Sequence, residues 1–244
     1  MFFLCFSGQD RLSVAQSILY HLEKYGLQVW YDNHEYLLGD KKIESFTQAI
    51  HESRYAIVIL SPDFPNSPGA IEELDVIKHR YDAGQIYVFP IFFRLQAKDV
   101  PPEYQWLNNL IYNEIDESTG SLLTCNQIVC KYFSDLLAES ELKTIQDILR
   151  FRDRVPTFCE KAVENYYDIV PANINSRLSL LYSLFLYFET ICELPKYLVK
   201  TAHYLFLTTK LDLSYNFKEI ILMEQVVCLA TSCYIKNSRQ RFGE

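Results

Sequence analysis

Short β-forming runs alternate with helix-period segments along the first half of the chain, and no other feature constrains the fold as strongly. The runs Phe2–Phe6 and Tyr55–Leu60 are apolar throughout, as expected of strands that are covered on both faces. Around them, residues 13–25, 43–53 and 70–81 place apolar side chains at helical spacing. This strand-helix alternation predicts an α/β domain with a parallel sheet.

Three further strands complete the predicted sheet, at Leu27–Tyr31, Ile86–Phe93 and Leu110–Ile115. Pro90 lies inside the second of them and cannot donate a hydrogen bond to a neighbouring strand, so we expect a bend or a sheet edge there. A helix near Ser121–Leu137 closes the domain. The expected architecture is a five-stranded parallel sheet covered by helices.

The sequence changes character after Glu139, where β-rich runs no longer occur. Apolar residues at helical spacing predict an amphipathic helix over 142–151 and further helices near Pro156–Ile169, Ser176–Ile191, Pro195–Lys210 and Phe217–Lys236. These segments predict an all-α helical bundle. We therefore expect two domains, an α/β domain over 1–138 and a helical domain over 139–244.

Charge and apolar patterning exclude some classes of partner. Residues 1–139 contain 10 Lys or Arg and 19 Asp or Glu, and an acidic half of this kind repels phosphate backbones, so nucleic acid is not expected as a ligand. The opening run 1–6 is too short for a signal sequence, and Leu178–Cys192 is interrupted by Glu189 and is too short to span a bilayer. We expect no membrane association.

The seven cysteines show neither a disulfide framework nor the spacing of a metal site. Buried, reduced thiols are the expected state, and a reducing cytoplasm is the expected location.

The order of elements alone also fits receiver domains, flavodoxins and nucleotide-binding folds. A receiver domain needs aspartates where this chain has Ser7 and Ser61, and the chain contains no GxGxxG motif and no P-loop. Three segments decide between these folds: FSGQDR (6–11), NHEYLLGD (33–40) and LSPDFPNSPGAIEEL (60–74). Together they resemble the TIR (Toll/interleukin-1 receptor) domain over residues 1–138.

The resemblance implies a flavodoxin-like fold and, by analogy with TIR enzymes, cleavage of NAD+ as a substrate without a separate cofactor. Glu73, followed by Leu74, takes the position of the catalytic glutamate in those enzymes. Breaking the nicotinamide–ribose bond builds positive charge on the sugar, and a carboxylate at the carboxyl edge of a parallel sheet stabilises that charge. The alternative is a surface carboxylate in the first turn of a helix, which the helix dipole favours.

One position departs from the pattern of the TIR enzymes. Many of them have a tryptophan four residues before the glutamate, where this chain has Gly69. Either Phe64 or Tyr36 supplies the ring that stacks on the nucleotide, or the product differs, or the domain is inactive.

The turn after the first strand is a second candidate for contacts with NAD+. Backbone N–H groups of Ser7, Gly8 and Gln9 have the position to approach a phosphate. An ordinary strand-to-helix turn with Asp10 as the N-cap residue is the alternative.

The loop over 33–40 resembles the BB loop through which TIR domains commonly assemble. Leu38 and Gly39 are expected to shape this loop, to take part in NAD+ binding and to contact a neighbouring subunit, with an ordinary exposed turn as the alternative. His34 is expected to be solvated.

The leading hypothesis is a cytoplasmic TIR enzyme that cleaves NAD+ to nicotinamide and linear or cyclic ADP-ribose, similar to prokaryotic TIR proteins of antiviral defence. Self-association through the TIR domain is implied, and the helical domain is expected to sense a protein trigger, regulate or assemble. Two alternatives are a non-catalytic adaptor, which Gly69 favours, and a nucleoside 2-deoxyribosyltransferase-like enzyme.

Overall fold

A computed structural model describes residues 1–31, 42–211 and 217–242. The chain divides into two compact units. The first, called the sheet unit, comprises Met1–Glu23 and Leu27–Cys125, and the second, called the helical unit, comprises Lys24–Gly26 and Asn126–Glu244. The domain boundary between residues 138 and 139 stays a prediction.

The sheet unit is built on one five-stranded, all-parallel sheet within the described residues. Its strands are β1 (Phe2–Phe6), β2 (Val29–Trp30), β3 (Tyr55–Leu60), β4 (Tyr87–Phe93) and β5 (Asn113–Ile115). The spatial order is β2-β1-β3-β4-β5. The predicted α/β fold with a parallel five-stranded sheet is therefore confirmed.

β2 and β5 are each three residues shorter than predicted, and β4 is one residue shorter. The N–H of Leu27 donates to the carbonyl of Leu22 at 3.0 Å, so this residue closes the preceding helix and does not pair in β2. Likewise, the N–H of Leu110 donates to the carbonyl of Leu107 at 3.1 Å and ends a 3-10 helix at Pro102–Asn109. Leu27 and Leu110 were predicted as strand residues because they are apolar, but their N–H groups form turn hydrogen bonds instead.

Pro90 lies where β4 has one neighbour only. β4 pairs with β3 from Tyr87 onward, whereas its pairing with β5 begins at Ile91. The N–H of Tyr87 donates toward β3, to the carbonyl of Arg54 at 2.9 Å. Because strand N–H groups alternate in direction, the Pro90 nitrogen faces the opposite side, before β5 has started. Because Pro90 has no N–H group to donate and no strand lies on that side at this position, no hydrogen bond between strands is lost.

Three helices connect successive strands β1 to β4 along the chain: α1 (Gln16–Lys24), α2 (Lys42–Glu52) and α3 (Pro68–Asp82). A fourth, α4 (Leu122–Ala138), follows β5 and continues from the sheet unit into the helical unit. A single π-helical turn, Arg11–Ala15, leads into α1. α3 starts two residues before the predicted position because the fixed φ of Pro68 suits the first turn of a helix.

The core of the sheet unit is aromatic and aliphatic. Ile57 and Val58 of β3 are fully buried, since helices cover both faces of the sheet. The rings of Phe3 and Trp30 stack with centroids 4.8 Å apart across β1 and β2. This packing holds the strands whose carboxyl ends carry the candidate site.

The described part of the helical unit contains four further α-helices, α5 (Thr157–Asp168), α6 (Ile174–Ile191), α7 (Lys196–Leu211) and α8 (Phe217–Phe242). The amphipathic helix predicted over 142–151 is shorter and of a different type, because only Ile145–Phe151 is helical and it forms a 3-10 helix. It starts late because Thr144 and Asp147 form a capping box that holds Thr144 extended. Within the described residues, no helix has both the length and the apolar character that a membrane span requires.

Candidate functional site

The carboxyl ends of β1, β3 and β4 meet at one edge of the parallel sheet, which we call the carboxyl edge. Ser7, Ser61 and Arg94 are the residues that directly follow these three strands. In open α/β sheets, ligands bind in the crevice outside this edge. A ligand of this domain is therefore expected to contact residues at this edge.

Asp10 and Ser61 form a buried hydrogen-bonded pair at the carboxyl edge. Their exposed fractions are 1% and 2%, and Ser61 Oγ donates to Asp10 Oδ2 at 2.5 Å. The pKa of Asp10 is raised above its ordinary value, and burial is the largest cause. The hydrogen bond from Ser61 and the charge of Arg94 act in the opposite direction, whereas the Asp63 carboxylate acts in the same direction as burial. Asp10 was not predicted as a site residue, since this pairing joins residues 51 positions apart.

The turn after β1 is a short 3-10 turn over Gly8–Asp10 with Ser7 as its N-cap residue, and the role of Ser7, Gly8 and Gln9 in phosphate binding stays a prediction. The N–H of Gln9 donates to Ser7 Oγ at 3.4 Å, and the N–H of Asp10 donates to the carbonyl of Ser7 at 2.8 Å. Gly8 and Gln9 are exposed, and a side chain at Gly8 would meet open space. Asp10 occupies the N-cap position of the helical turn Arg11–Ala15, as the alternative predicts, but its carboxylate makes no capping hydrogen bond and accepts one from Ser61 instead.

Glu73 lies in the second turn of α3 and faces the sheet. Its side chain is 7% exposed, whereas the neighbouring Glu72 is exposed. The alternative of an ordinary surface carboxylate is therefore wrong, and the catalytic role stays a prediction. Glu73 is adjacent to Cys5, the residue before the last of β1, which places the carboxylate near the carboxyl edge.

Cys5 is a contact of Glu73 that the sequence did not reveal. Its fully buried thiol donates to the carbonyl of Ala70 at 3.5 Å. Burial, the charge of the Glu73 carboxylate and its hydrogen bond with the thiol raise the pKa of Cys5 well above the ordinary value. Cys5 therefore stays a neutral thiol and serves as a donor. Its location one residue before the strand end is the only sequence signal for this role.

Phe64 lies in the core, not at the surface. It is completely buried and packs edge-on against Tyr104 with ring centroids 5.6 Å apart. The prediction that Phe64 stacks on a nucleotide is wrong, because its ring is enclosed by other side chains of the core. Gly69 is half-buried in the first turn of α3.

The predicted residues of the BB loop, which are His34, Tyr36, Leu38 and Gly39, lie outside the described residues. Their predicted roles in binding and assembly stay predictions.

A cationic group that sequence reasoning missed also lies at the carboxyl edge. Arg11 Nη1 donates to Tyr31 Oη at 3.0 Å, and the guanidinium carbon lies 5.3 Å from the centroid of Tyr31 and 5.5 Å from that of Phe6. The two rings stack at 5.6 Å. Guanidinium groups suit phosphate recognition, so this edge combines a cation with the carboxylate of Glu73.

The described residues hold no group of three or more side chains able to bind a metal ion. All seven cysteines are free thiols. The described side chains at the carboxyl edge include carboxylates, hydroxyls, a thiol and a guanidinium group.

The TIR domain family model matches residues 2–121 of the chain. The N-terminal half of this protein is a TIR domain. The TIR match covers all five strands and the carboxyl edge described above.

Several characterised proteins resemble the TIR domain. The chain is 26% identical over 117 residues to "NAD(+) hydrolase TcpA" of Theionarchaea archaeon, covering 48% of this chain and 34% of that protein. It is 26% identical over 98 residues to "2' cyclic ADP-D-ribose synthase AbTIR" of Acinetobacter baumannii, covering 40% of this chain and 36% of that protein. The chain thus spans about a third of the length of these relatives.

Plant and animal proteins also show similarity. Disease resistance protein RML1A of Arabidopsis thaliana is 35% identical over 103 residues, which are 40% of this chain and 10% of that protein. The crystal structure of the TIR domain of the Toll-related receptor TRR-2 from Hydra magnipapillata is 24% identical and superposes with a TM-score of 0.39, covering 46% of this chain and 82% of that chain.

Proposed function

We propose that the TIR domain cleaves NAD+ between nicotinamide and ribose and releases nicotinamide with linear or cyclic ADP-ribose. The observation that carries this proposal is the position of Glu73, which the helix α3 directs toward β1 near the carboxyl edge. Relatives named as NAD(+) hydrolases and 2' cyclic ADP-D-ribose synthases support the same chemistry.

The reaction breaks the C–N bond between ribose and nicotinamide, and both bonding electrons leave with nicotinamide. Nicotinamide departs as a neutral base, so the step needs no strong acid. Positive charge then develops on the ribose, and the Glu73 carboxylate stabilises it more strongly in a water-poor site than in bulk water. Attack by water gives ADP-ribose, and attack by a hydroxyl of the same molecule gives a cyclic product.

The low exposure of Glu73 adds a requirement to this mechanism. Because only 7% of Glu73 is exposed, we propose that neighbouring segments move to admit a ribose. We propose that self-association of TIR domains produces this opening, as lid and loop motions do in other enzymes. The proposed location is the cytoplasm, where NAD+ is available. A protein trigger for the helical unit stays a prediction.

A non-catalytic adaptor is the second candidate function. Two observations favour it, namely Gly69 in place of the usual aromatic residue and the burial of Glu73 in the described state. In this case, the carboxylate would only be a buried partner of Cys5, and NAD+ would not be consumed.

The test uses the purified full chain with NAD+, with and without a crowding agent that forces assembly, and measures nicotinamide by chromatography. Glu73→Gln keeps the shape of the side chain and removes the charge. Glu72→Gln is the matched control, because it makes the same change at the exposed neighbour. Turnover by the wild type and Glu72→Gln, with loss in Glu73→Gln, supports the proposal.

Other outcomes select other functions. An assembled wild-type chain that releases no nicotinamide overturns the NAD+ cleavage proposal and favours the adaptor. Base exchange on deoxynucleosides, measured in the same preparation, identifies a deoxyribosyltransferase instead.

A further inference from the structure

A series of hydrogen bonds holds the segment that connects β3 to α3. Ser61 Oγ donates to Asp10 Oδ2 at 2.5 Å and accepts the backbone N–H of Asp63 at 3.2 Å. The Ser61 carbonyl accepts the N–H of Phe64 at 3.1 Å. Ser61 is therefore fixed by the loop after β1 and in turn fixes the start of its own loop.

The same segment continues into α3 through backbone hydrogen bonds. The N–H of Ser67 donates to the carbonyl of Phe64 at 3.0 Å, and the N–H of Ile71 donates to the carbonyl of Ser67 at 3.1 Å. Glu73 follows two residues later. A displacement of Ser61 is therefore transmitted to Glu73 through ordered backbone.

The Asp10–Ser61 pair contributes more to geometry than to stability. Both side chains are almost completely buried, and removing a carboxylate from water costs free energy that one hydroxyl donor offsets only in part. A variant with apolar side chains of similar size at both positions would have about the same free energy of unfolding as the wild type. The specific effect of the pair is that it fixes the distance between the loop after β1 and the loop after β3.

We propose that Asp10 is a positioning residue for Glu73, an inference that rests on the proposed function. In this role, Asp10 does not need to contact the bond that breaks. It holds the Ser61 hydroxyl, and Ser61 holds residues 61–67, so that α3 places the Glu73 carboxylate at the carboxyl end of β1.

The first test compares steady-state NAD+ turnover of Asp10→Ala, Asp10→Asn and Ser61→Ala. Asp99→Asn is the control, because Asp99 is an exposed carboxylate of the same unit. We expect Asp10→Ala and Ser61→Ala to lower kcat by about 10²-fold, the effect of a misplacement near 1 Å, with KM within about twofold. Asp10→Asn retains most of the activity, because its carboxamide oxygen accepts the Ser61 hydrogen bond.

Two features of these data separate positioning from a loss of folding. The double variant Asp10→Ala with Ser61→Ala should be no less active than either single variant, because both remove the same contact. If Asp10→Ala does not fold, the comparison of Ser61→Ala with Asp10→Asn keeps the test decisive.

A second readout does not require NAD+. Amide hydrogen exchange of Asp63, Phe64 and Ser67 should be at least about tenfold faster in Ser61→Ala than in the wild type, and unchanged in Asp99→Asn. Unchanged exchange, an unchanged kcat, or additive losses in the double variant overturn the inference while leaving NAD+ cleavage intact. A wild-type chain without turnover overturns the proposed function and, with it, the catalytic part of this inference.

Discussion

Gly26 offers a substitution whose cost can be worked out from the structure. The residue has φ +79°, and a Cβ built on it would lie 2.9 Å from Cα of Tyr197 and 3.1 Å from Cβ and Cδ of Lys200. Both neighbours belong to the helical unit, as Gly26 does. Because one of the close atoms is backbone, α7 has to shift to admit even an alanine methyl group.

The conformational and steric parts of this cost are separable. Alanine in the left-handed region costs about 1–2 kcal/mol, from which the lower entropy of the unfolded chain recovers about 0.4–1 kcal/mol. Forcing a methyl group into packed space adds about 1–3 kcal/mol. We expect Gly26→Ala to lower the free energy of unfolding by about 1–5 kcal/mol.

Gly84 and Gly120 provide matched controls, since their φ values are +68° and +66° and a Cβ at either would have open space around it. Alanine at these positions should cost about 1 kcal/mol. The assay is urea unfolding, followed by circular dichroism for the helices and by fluorescence for the tryptophans of the sheet unit. A loss in Gly26→Ala equal to that in Gly84→Ala would show that the contact with Tyr197 has no energetic effect.

Two further predictions concern polar side chains. Thr144→Ala removes half of the capping box and should lower the free energy of unfolding in urea by about 0.5–2 kcal/mol. The control variant Lys98→Ala, at an exposed position, should change this free energy little. Equal free energies of unfolding for the two variants would contradict the capping role. Hydrogen bonds from Ser118 and Thr119 lower the pKa of Asp116 from 3.8 to about 2. Because the pKa is lowered, the stabilising effect of the ionised Asp116 carboxylate is present above pH 3.8 and is lost as the pH falls toward 2. NMR titration of Asp116 should therefore give a midpoint near 2. A midpoint near 3.8 would refute the assignment.

The sequence predicts best the elements that burial alone specifies. β1 and β3 occur at their predicted residues, because strands covered on both faces must be apolar throughout. β2 and β5 are shorter, since the carbonyls of Leu22 and Leu107 capture the N–H groups at their predicted starts. Apolar periodicity carries no information about such turn hydrogen bonds.

The candidate site shows the same division. A motif identified Glu73 as the carboxylate to consider, and its catalytic role stays a prediction. Its surroundings were not predictable, because the Asp10–Ser61 hydrogen bond spans 51 positions and the contact of Cys5 with Ala70 spans 65. A single sequence shows which side chains have the right chemistry, whereas the fold decides which of them meet.

The proximity of the Cys5 thiol to the Glu73 carboxylate leads to a last prediction, about the coupling between the two side chains. Cys5→Ser keeps a polar hydrogen at this position, whereas Cys5→Val keeps the volume and removes the polar hydrogen. Losing the polar S–H group beside the Ala70 carbonyl and the Glu73 carboxylate costs about 1–3 kcal/mol, so Cys5→Val should be less stable than Cys5→Ser in urea unfolding.

A double-mutant cycle tests whether this difference comes from Glu73. Glu73→Gln removes the charge that makes the donor valuable, so the cost of Cys5→Val should shrink by about 0.5–3 kcal/mol in that background. The control cycle replaces Glu73→Gln with Glu72→Gln, whose side chain is exposed and should show no coupling. Equal costs of Cys5→Val in the wild-type and Glu73→Gln backgrounds would mean that the thiol is only an apolar filler of β1. A measured coupling would instead place the Glu73 carboxylate against the penultimate residue of that strand in solution, which the proposed chemistry requires.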